Sequence, residues 1–240
     1  MGADKNKGGI LMSNLACIDD TKIWTYEDVQ KLNNGNRYEL IDGTLYMLAS
    51  PSTMHQKISG EIFGQIREYL KGKSCEVYFA PMDVNFEKKL EKSNNFVQPD
   101  IFVICDKNKK RKNQILGTPD FIVEIISPKD ELKDRFEKLN LYFINKVKEY
   151  WIVDPIKKRI DTYILKDKKY IWNNYKITEK IKVSIFDSLE IDVSGEYKRN
   201  EYLLREEDEE YIIEDFEVSD ILKKHIMEIT IPYTEVTNKL

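Results

Sequence analysis

The chain has 240 residues and a mass of 28.4 kDa, with 41% hydrophobic and 33% charged side chains, enough to bury a core as one large domain or one domain with appendages. This excludes a disordered, collagenous or small disulfide-stapled chain, and no apolar run nears the roughly 18 residues of a membrane-spanning helix. The net charge of −4 is unevenly placed: residues 201–240 hold 12 acidic and 4 basic side chains, whereas residues 1–200 hold 30 acidic and 34 basic.

Residues 1–20 read as a flexible leader without the apolar region of a secretory signal, and a cytoplasmic location is expected. In WTYEDVQKL, Thr25 and Asp28 have the spacing of a capping box that opens a short helix. RYELI and TLYML then flank Asp42-Gly43, a dipeptide suited to the positive φ angles of a two-residue hairpin turn. From Thr53 to Lys71, Ile58, Ile62, Ile66, Tyr69 and Leu70 recur at helical spacing.

Three segments with both faces apolar follow, VYFAPMDVNF, FVQPDIFVIC and DFIVEIIS, and read as strands of a sheet covered on both sides. Residues 130–146 are expected to form a helix with Leu132, Phe136, Leu139 and Phe143 on its apolar stripe, and EYWIVD returns as a buried strand. RIDTYIL, YIWNNYKI, KVSIF and LEID read as short antiparallel strands beyond this core, and the acidic stretch from residue 200 as surface helix. The pattern is α/β (α+β): a central mixed sheet flanked by helices, with extra antiparallel strands. The expected boundaries are a tail over 1–20, one domain over 21–199 and an acidic extension over 200–240.

Cys17, Cys75 and Cys105 show no CxxC spacing and are expected as separate buried thiols in a reducing compartment. The basic run at Lys107 and Lys109–Lys112 is expected to be a solvated loop, with phosphate contact as the alternative. Asp100, inside VQPDIFVIC, and Glu124, in the middle of FIVEIIS, are carboxylates placed among Ile, Val and Phe. Burying an unpaired carboxylate costs several kcal/mol, so each needs a partner. A divalent ion between neighbouring strands is one; the alternatives are a buried Arg or Lys, or a place at a frayed strand end.

The succession YELIDG, SPSTMHQ, VQPD, PDFIVEIISP, DRFEKLNLY and EYWIVDP resembles the Uma-two family of restriction-endonuclease-like proteins, over about residues 24–195. That family is placed in the PD-(D/E)XK nuclease superfamily, whose core order of helix, three strands, helix and strand matches the order above. The resemblance implies a magnesium- or manganese-dependent endonuclease acting on DNA. It makes Asp100 and Glu124 the metal-holding acids. Ile126 stands where the parent pattern has lysine, and the resemblance moves that role to Lys138, with Asp134 one turn earlier. On an α-helix Lys138 falls away from the apolar stripe and must reach the site from the flank; a surface Asp134–Lys138 pair is the alternative. Glu39 resembles the upstream acid that completes the metal shell, against a solvent-facing hairpin glutamate. His55 resembles a proton-relaying or metal-binding side chain, against a helix cap. Asp83 is a weaker candidate, and His225 has no assigned role.

Two other readings compete: a non-catalytic DNA-binding or protein-interaction module that keeps the fold, and a hydrolase of small phosphorylated substrates. A homodimer is compatible with each. The acidic extension offers either an occupant of the basic groove in cis or a docking surface for a protein partner.

Overall fold

The computed structural model describes residues 22–32, 34–87, 93–127 and 133–203. The tail over 1–20, Cys17, His225 and the acidic stretch beyond residue 203 lie outside these residues, as does Leu132.

Helix α1 (Tyr26–Gln30) starts with the capping box the sequence suggests, the Thr25 side chain accepting from the Asp28 N–H and Asp28 answering to the Thr25 N–H. Strands β1 (Tyr38–Ile41) and β2 (Thr44–Met47) form the hairpin about Asp42 (φ 48°) and Gly43 (φ 80°). A side chain at position 43 would also run into Ile23, so glycine is required there twice over. Helix α2 (Thr53–Leu70) buries Met54, Ile58, Ile62, Ile66 and Leu70 as one stripe.

Two of the three apolar segments are not single strands. VYFAPMDVNF divides into β3 (Glu76–Phe79) and β4 (Asp83–Asn85), and FVQPDIFVIC divides into β5 (Phe96–Val97) and β6 (Ile101–Ile104). Each breaks at a proline, Pro81 or Pro99, whose nitrogen has no hydrogen to give a ladder. After each break the chain crosses to another sheet. Strands β7 (Gln114–Leu116) and β8 (Phe121–Ile125) follow. The expected helix over 130–146 is a π-helical turn, Lys133–Lys138, that runs into α3 (Leu139–Ile144). Strands β9 (Glu149–Asp154), β10 (Arg159–Lys166) and β11 (Lys169–Lys176) form a meander, followed by the short β12 (Ile181–Lys182), β13 (Glu190–Ile191) and helix α4 (Ser194–Asn200).

The result is a mixed α/β protein with two mixed sheets. One runs β2-β1-β5-β4-β7, and the other β11-β10-β9-β8-β6-β3, with β8 and β9 parallel. The β10–β11 hairpin extends the larger sheet antiparallel, as its alternation suggests. Of KVSIF only Lys182, and of LEID only Glu190 and Ile191, enter a separate ribbon, β12–β13. Ile62, Phe121, Val123 and Trp151 belong to the core between α2 and one face of the larger sheet. Phe102, Ile122, Tyr142 and Tyr150 pack with Val84 and Val97 between the two sheets and α3. A smaller core of Trp24, Val29, Leu40 and Phe96 joins α1 to the outer face of the smaller sheet. The larger sheet is covered on both faces at its centre, which explains the unbroken apolar runs of β8 and β9.

Two expectations fail. Cys75 and Cys105 are not separate thiols but a disulfide, because the β3–β6 register, with Glu76 opposite Ile104, brings the two residues just outside it together. Paired in this way, the two cysteines give no ground for expecting a reducing compartment. The expected stripe on the third helix is also wrong. Leu139 is in the core, but Phe136 and Phe143 are only half-buried, and the buried side is Lys133, Asp134, Arg135, Lys138, Leu139, Leu141 and Tyr142. A π turn, with its i→i+5 bonds, shifts which side chains share a face.

Arg135 reaches the carboxylates of Asp154 on β9 at 2.7 Å and Asp161 on β10 at 2.6 Å, all three buried. Replacing Arg135 by Met should therefore destabilise the fold by about 3–5 kcal/mol, because two carboxylates lose their buried partner. Urea denaturation checks this, and a loss under about 1 kcal/mol would show that water reaches the pair.

Candidate active site

The sheets part where the chain turns from β5 to β6, and the site lies in that gap. Asp100 is the last residue before β6 and Glu124 the fourth residue of β8. The β6–β8 register sets Ile101 opposite Val123, so Asp100 and Glu124 meet at the next step. The Asp100 N–H approaches Glu124 Oε2 at 3.3 Å, and the Ile125 N–H donates to Asp100 Oδ2 at 2.8 Å. Asp100 is thus a corner residue, not a mid-strand one, and its neighbour proline makes the corner.

Lys138 comes from the π turn. Its Nζ lies 2.9 Å from Glu124 Oε1, 3.0 Å from Glu39 Oε1 and 3.2 Å from Asp134 Oδ1. The Asp134–Lys138 pair exists, but it is buried inside the molecule and is not a surface contact. Tyr142, one turn further on, donates to Glu124 Oε1 at 2.7 Å. Ile126 is a buried core residue. The sequence pattern carried no separate pointer to Tyr142, although its i+4 spacing from Lys138 puts it on the same helix face.

Glu39 is fully buried on β1, not solvent-facing. Its Oε1 also accepts from the Gln98 N–H at 2.9 Å, and Oε2 lies 3.3 Å from Lys133 Nζ. With two ammonium groups on it, Glu39 holds Lys138 in place. Among the described residues no group of three or more His, Cys, Asp or Glu side chains is arranged to hold an ion. His55 is fixed by the N-terminus of α2, where Ser52 caps the helix by accepting from the His55 N–H. Its Nε2 is 2.9 Å from Asp100 Oδ2, an arrangement that assigns the ring proton to Nε2 and leaves the lone pair on Nδ1. Asp83 turns elsewhere, accepting from Gln98 Nε2 at 2.8 Å and from Tyr26 OH at 3.4 Å. The basic run lies past the opposite end of β6. There Lys107–Lys109 form a single 3-10 turn, Lys110 pairs with Glu76 and Lys109 donates to the Thr118 carbonyl, so the run is not a purely solvated loop.

Glu39, His55, Asp100, Glu124 and Lys138 line a cavity of about 780 Å³ with Arg37, Met54, Phe79 and Ile156 on its walls. Four carboxyl groups, Glu39, Asp100, Glu124 and Asp134, lie within it beside Lys133, Lys138, His55 and Arg37. This crowding of ionisable groups has physical consequences. Burial, opposed by Lys138 but helped by Asp100, Asp134 and Glu39, pushes the Glu124 carboxyl up to about 8. Burial works against the Lys138 ammonium, but its three carboxylates overcome it and keep the group charged well above the usual lysine range. Burial would lower the His55 imidazolium pKa too, and Asp100 reverses that to a net rise. Burial would raise the Glu39 carboxyl, yet Lys138, Lys133 and the Gln98 N–H bring it down to about 2.

Residues 24–194 match the family described as "Putative restriction endonuclease". The chain belongs to the Uma2 family. Among curated proteins it is similar to the uncharacterized protein slr1290 of Synechocystis sp., 28% identical over 160 residues, which are 65% of this chain and 82% of that one. Among solved structures it is similar to a "putative nuclease belonging to DUF820" from Anabaena variabilis, with a TM-score of 0.59 and 18% identity over 72% of this chain and 97% of that one. At that identity the likeness concerns the fold, and the neighbour is nuclease-like. The Uma2 match spans the elements that supply Glu39, His55, Asp100, Glu124 and Lys138.

Glu39 gives a pH test. Its folded pKa is depressed, so its contribution to stability is present above its unfolded value near 4.5 and is lost as pH falls toward 2. In Glu39→Gln the acid limb of the stability curve should flatten across that window, measured by urea unfolding at several pH values. A limb of unchanged slope would place its source in other carboxylates.

Proposed function

We propose that this Uma2 chain has a restriction-endonuclease-like core and is a metal-dependent endonuclease that hydrolyses a DNA phosphodiester, with magnesium or manganese held by Asp100 and Glu124. The observation that carries the reading is the meeting of these two carboxylates, from adjacent strands, with the buried Lys138 ammonium on the wall of an open cavity.

The donor set suits a hard divalent cation. Asp100 Oδ1 accepts no hydrogen bond among the described residues, and Glu124 Oε2 takes only the long one from the Asp100 N–H. Hard oxygens are thus left over on the cavity wall, and the other ligands of such an ion are ordinarily water and substrate oxygens. When bound, the ion supplies Lewis-acid polarisation of the phosphoryl group and a water acidic enough to attack near neutral pH. The chain's own residues do the rest. Lys138 stays protonated, so it is a charge donor and not a base; it fixes Glu124 and brings positive potential to where phosphoryl oxygens gain charge. Tyr142 holds the same Glu124 oxygen from the other side. His55 orients Asp100 through Nε2, while its Nδ1 is buried without a partner among the described residues. Arg37 at the rim is a phosphate donor.

Calorimetric titration with magnesium and manganese, beside a plasmid-nicking assay, tests the proposal. Asp100→Asn and Glu124→Ala should weaken metal binding, and Glu124→Ala and Lys138→Ala should each slow nicking by roughly 10²–10³. Lys138→Ala should also lower stability by about 3–5 kcal/mol, since three buried carboxylates lose their cation. A metal-soaked crystal in which Asp100 and Glu124 bond only to protein groups would sink the metal assignment. DNA binding without nicking in the unaltered protein would favour the non-catalytic module.

A further inference from the structure

Strand β11 ends the larger sheet, and one face of it is unlike the rest of the surface. Strand alternation and the β10–β11 register place Tyr170, Trp172, Asn174 and Lys176 on one face, beside Arg159, Asp161 and Tyr163 of β10. Tyr170 is pinned under this face, its hydroxyl donating to the Val147 carbonyl at 2.9 Å and its ring against Phe143. Trp172 is not covered in this way: it is 47% exposed, whereas the other two tryptophans, Trp24 and Trp151, are buried. Its orientation is nevertheless fixed. The indole Nε1 donates to Asp161 Oδ1 at 3.1 Å, and the Asn174 amide donates to the same oxygen at 2.8 Å. Asp161 is itself held by Arg135 at 2.6 Å and Arg159 at 3.3 Å. A half-exposed indole is thus held rigid by a buried ion network, with the free amide oxygen of Asn174 next to it.

The charge around it is mostly positive, although Glu179 accepts from the Lys176 N–H and Lys158 and Lys180 are paired with Glu201 and Asp192. From Lys157 to Lys182 the chain carries nine basic and three acidic side chains, and one of the three, Asp161, is buried and already paired. Lys176, Lys168 and Lys169 make no ion pair among the described residues. Lys176 lies directly across from Arg159, three residues beyond Ile156 in the cavity wall. Lys168 and Lys169 sit at the other end of the strand, roughly 20 Å away at about 3.3 Å per residue.

We infer that this face of β11 binds single-stranded nucleic acid: Trp172 stacks on one unpaired base, Asn174 meets the edge of that base or its neighbour, and Lys176 and Arg159 on one side and Lys168 on the other meet the phosphates. A flat indole accepts any base because every base has a π face, and flanking cations supply the salt-dependent part of affinity. A duplex keeps its bases stacked inward and gives the indole nothing to stack on. The inference rests on the nuclease reading only for where the strand leads, since the Arg159–Lys176 end adjoins the cavity. Binding itself needs no cleavage.

The test is tryptophan fluorescence of the full chain titrated with a 12-nucleotide DNA strand, its RNA equivalent and the DNA duplex, in EDTA so that nothing is cut. The single strands should quench the emission and bind more tightly than the duplex, and the DNA and RNA arms show which sugar is preferred. Trp172→Ala should lose about 10-fold or more in single-strand affinity, Trp172→Phe should keep most of it, and Lys176→Ala should reduce the slope of log K against log salt by about 0.7. Ile171→Ala, on the opposite face of the same strand, should change nothing. Unquenched emission at saturating strand, or equal affinity of wild type and Trp172→Ala while Trp172→Ala remains folded by circular dichroism, would overturn the inference. So would sedimentation showing that Trp172→Ala turns a dimer into a monomer with strand affinity unchanged, which would make β11 a self-association edge. Nicking by the unaltered protein, scored separately, judges the nuclease reading alone.

Discussion

One buried ammonium organises the centre of this protein. Lys138 is 3% exposed and sits among Glu124, Glu39 and Asp134, and withdrawing such a charge from water is costly enough that its partners must all be in place together. Those partners come from β8 of one sheet, β1 of the other and the π turn that carries the lysine. The charge cluster therefore fixes the relation between the sheets at the point where they part. Apolar packing between the sheets would tolerate small slips, but a buried ion cluster would not, because each slip leaves a charge unpaired.

The π turn carries both ion clusters of the core. It points Lys133, Asp134 and Lys138 into the gap between the sheets and Arg135 toward Asp154 and Asp161 on the meander. Through Asp161 the second cluster extends to Trp172 and Asn174 on the surface of β11. The candidate active site and the basic aromatic face of β11 are thus joined by one short helical segment and the β9–β10 turn. Proline does comparable work on the other side. Pro99 ends β5 before β6 begins, so Asp100 occupies a corner whose carboxylate reaches the Ile125 N–H, His55 and open space at once. A mid-strand carboxylate would have had its backbone tied into the ladder and its side chain pressed against the neighbouring layer.

The membership in Uma2 and the nuclease-like neighbour give the fold a context, while the chemistry rests on the arrangement of side chains. What distinguishes this site electrostatically is the number of charged groups it brings together out of water: Glu39, Asp100, Glu124 and Asp134 lie with Lys133, Lys138, His55 and Arg37 around one cavity.

Local chemistry made part of this legible in the sequence. The Asp42-Gly43 turn, the Thr25 capping box, the α2 stripe and the strand containing Glu124 follow from backbone preference and from periodicity, which depend on neighbours along the chain. The order of the motif blocks likewise brought Asp100, Glu124, Lys138, His55 and Glu39 to notice before any of them had a position. Other features depend on partners distant in sequence. The Cys75–Cys105 pairing needs the β3–β6 register, and the division of two apolar segments between two sheets needs the second sheet to exist. The π turn puts Lys138 on the buried side, where an α-helical count puts it on the flank. The sequence by itself determined the local elements whose signals lie along the chain, the capping box, the hairpin turn, the α2 stripe and the buried strands β8 and β9. Only the tertiary structure decided that Glu39 holds a lysine, that Tyr142 holds Glu124 and that Trp172 stays half in solvent, because the free energy of a charge or an aromatic ring depends on what surrounds it in space, and those surroundings come from strands and turns far apart along the chain.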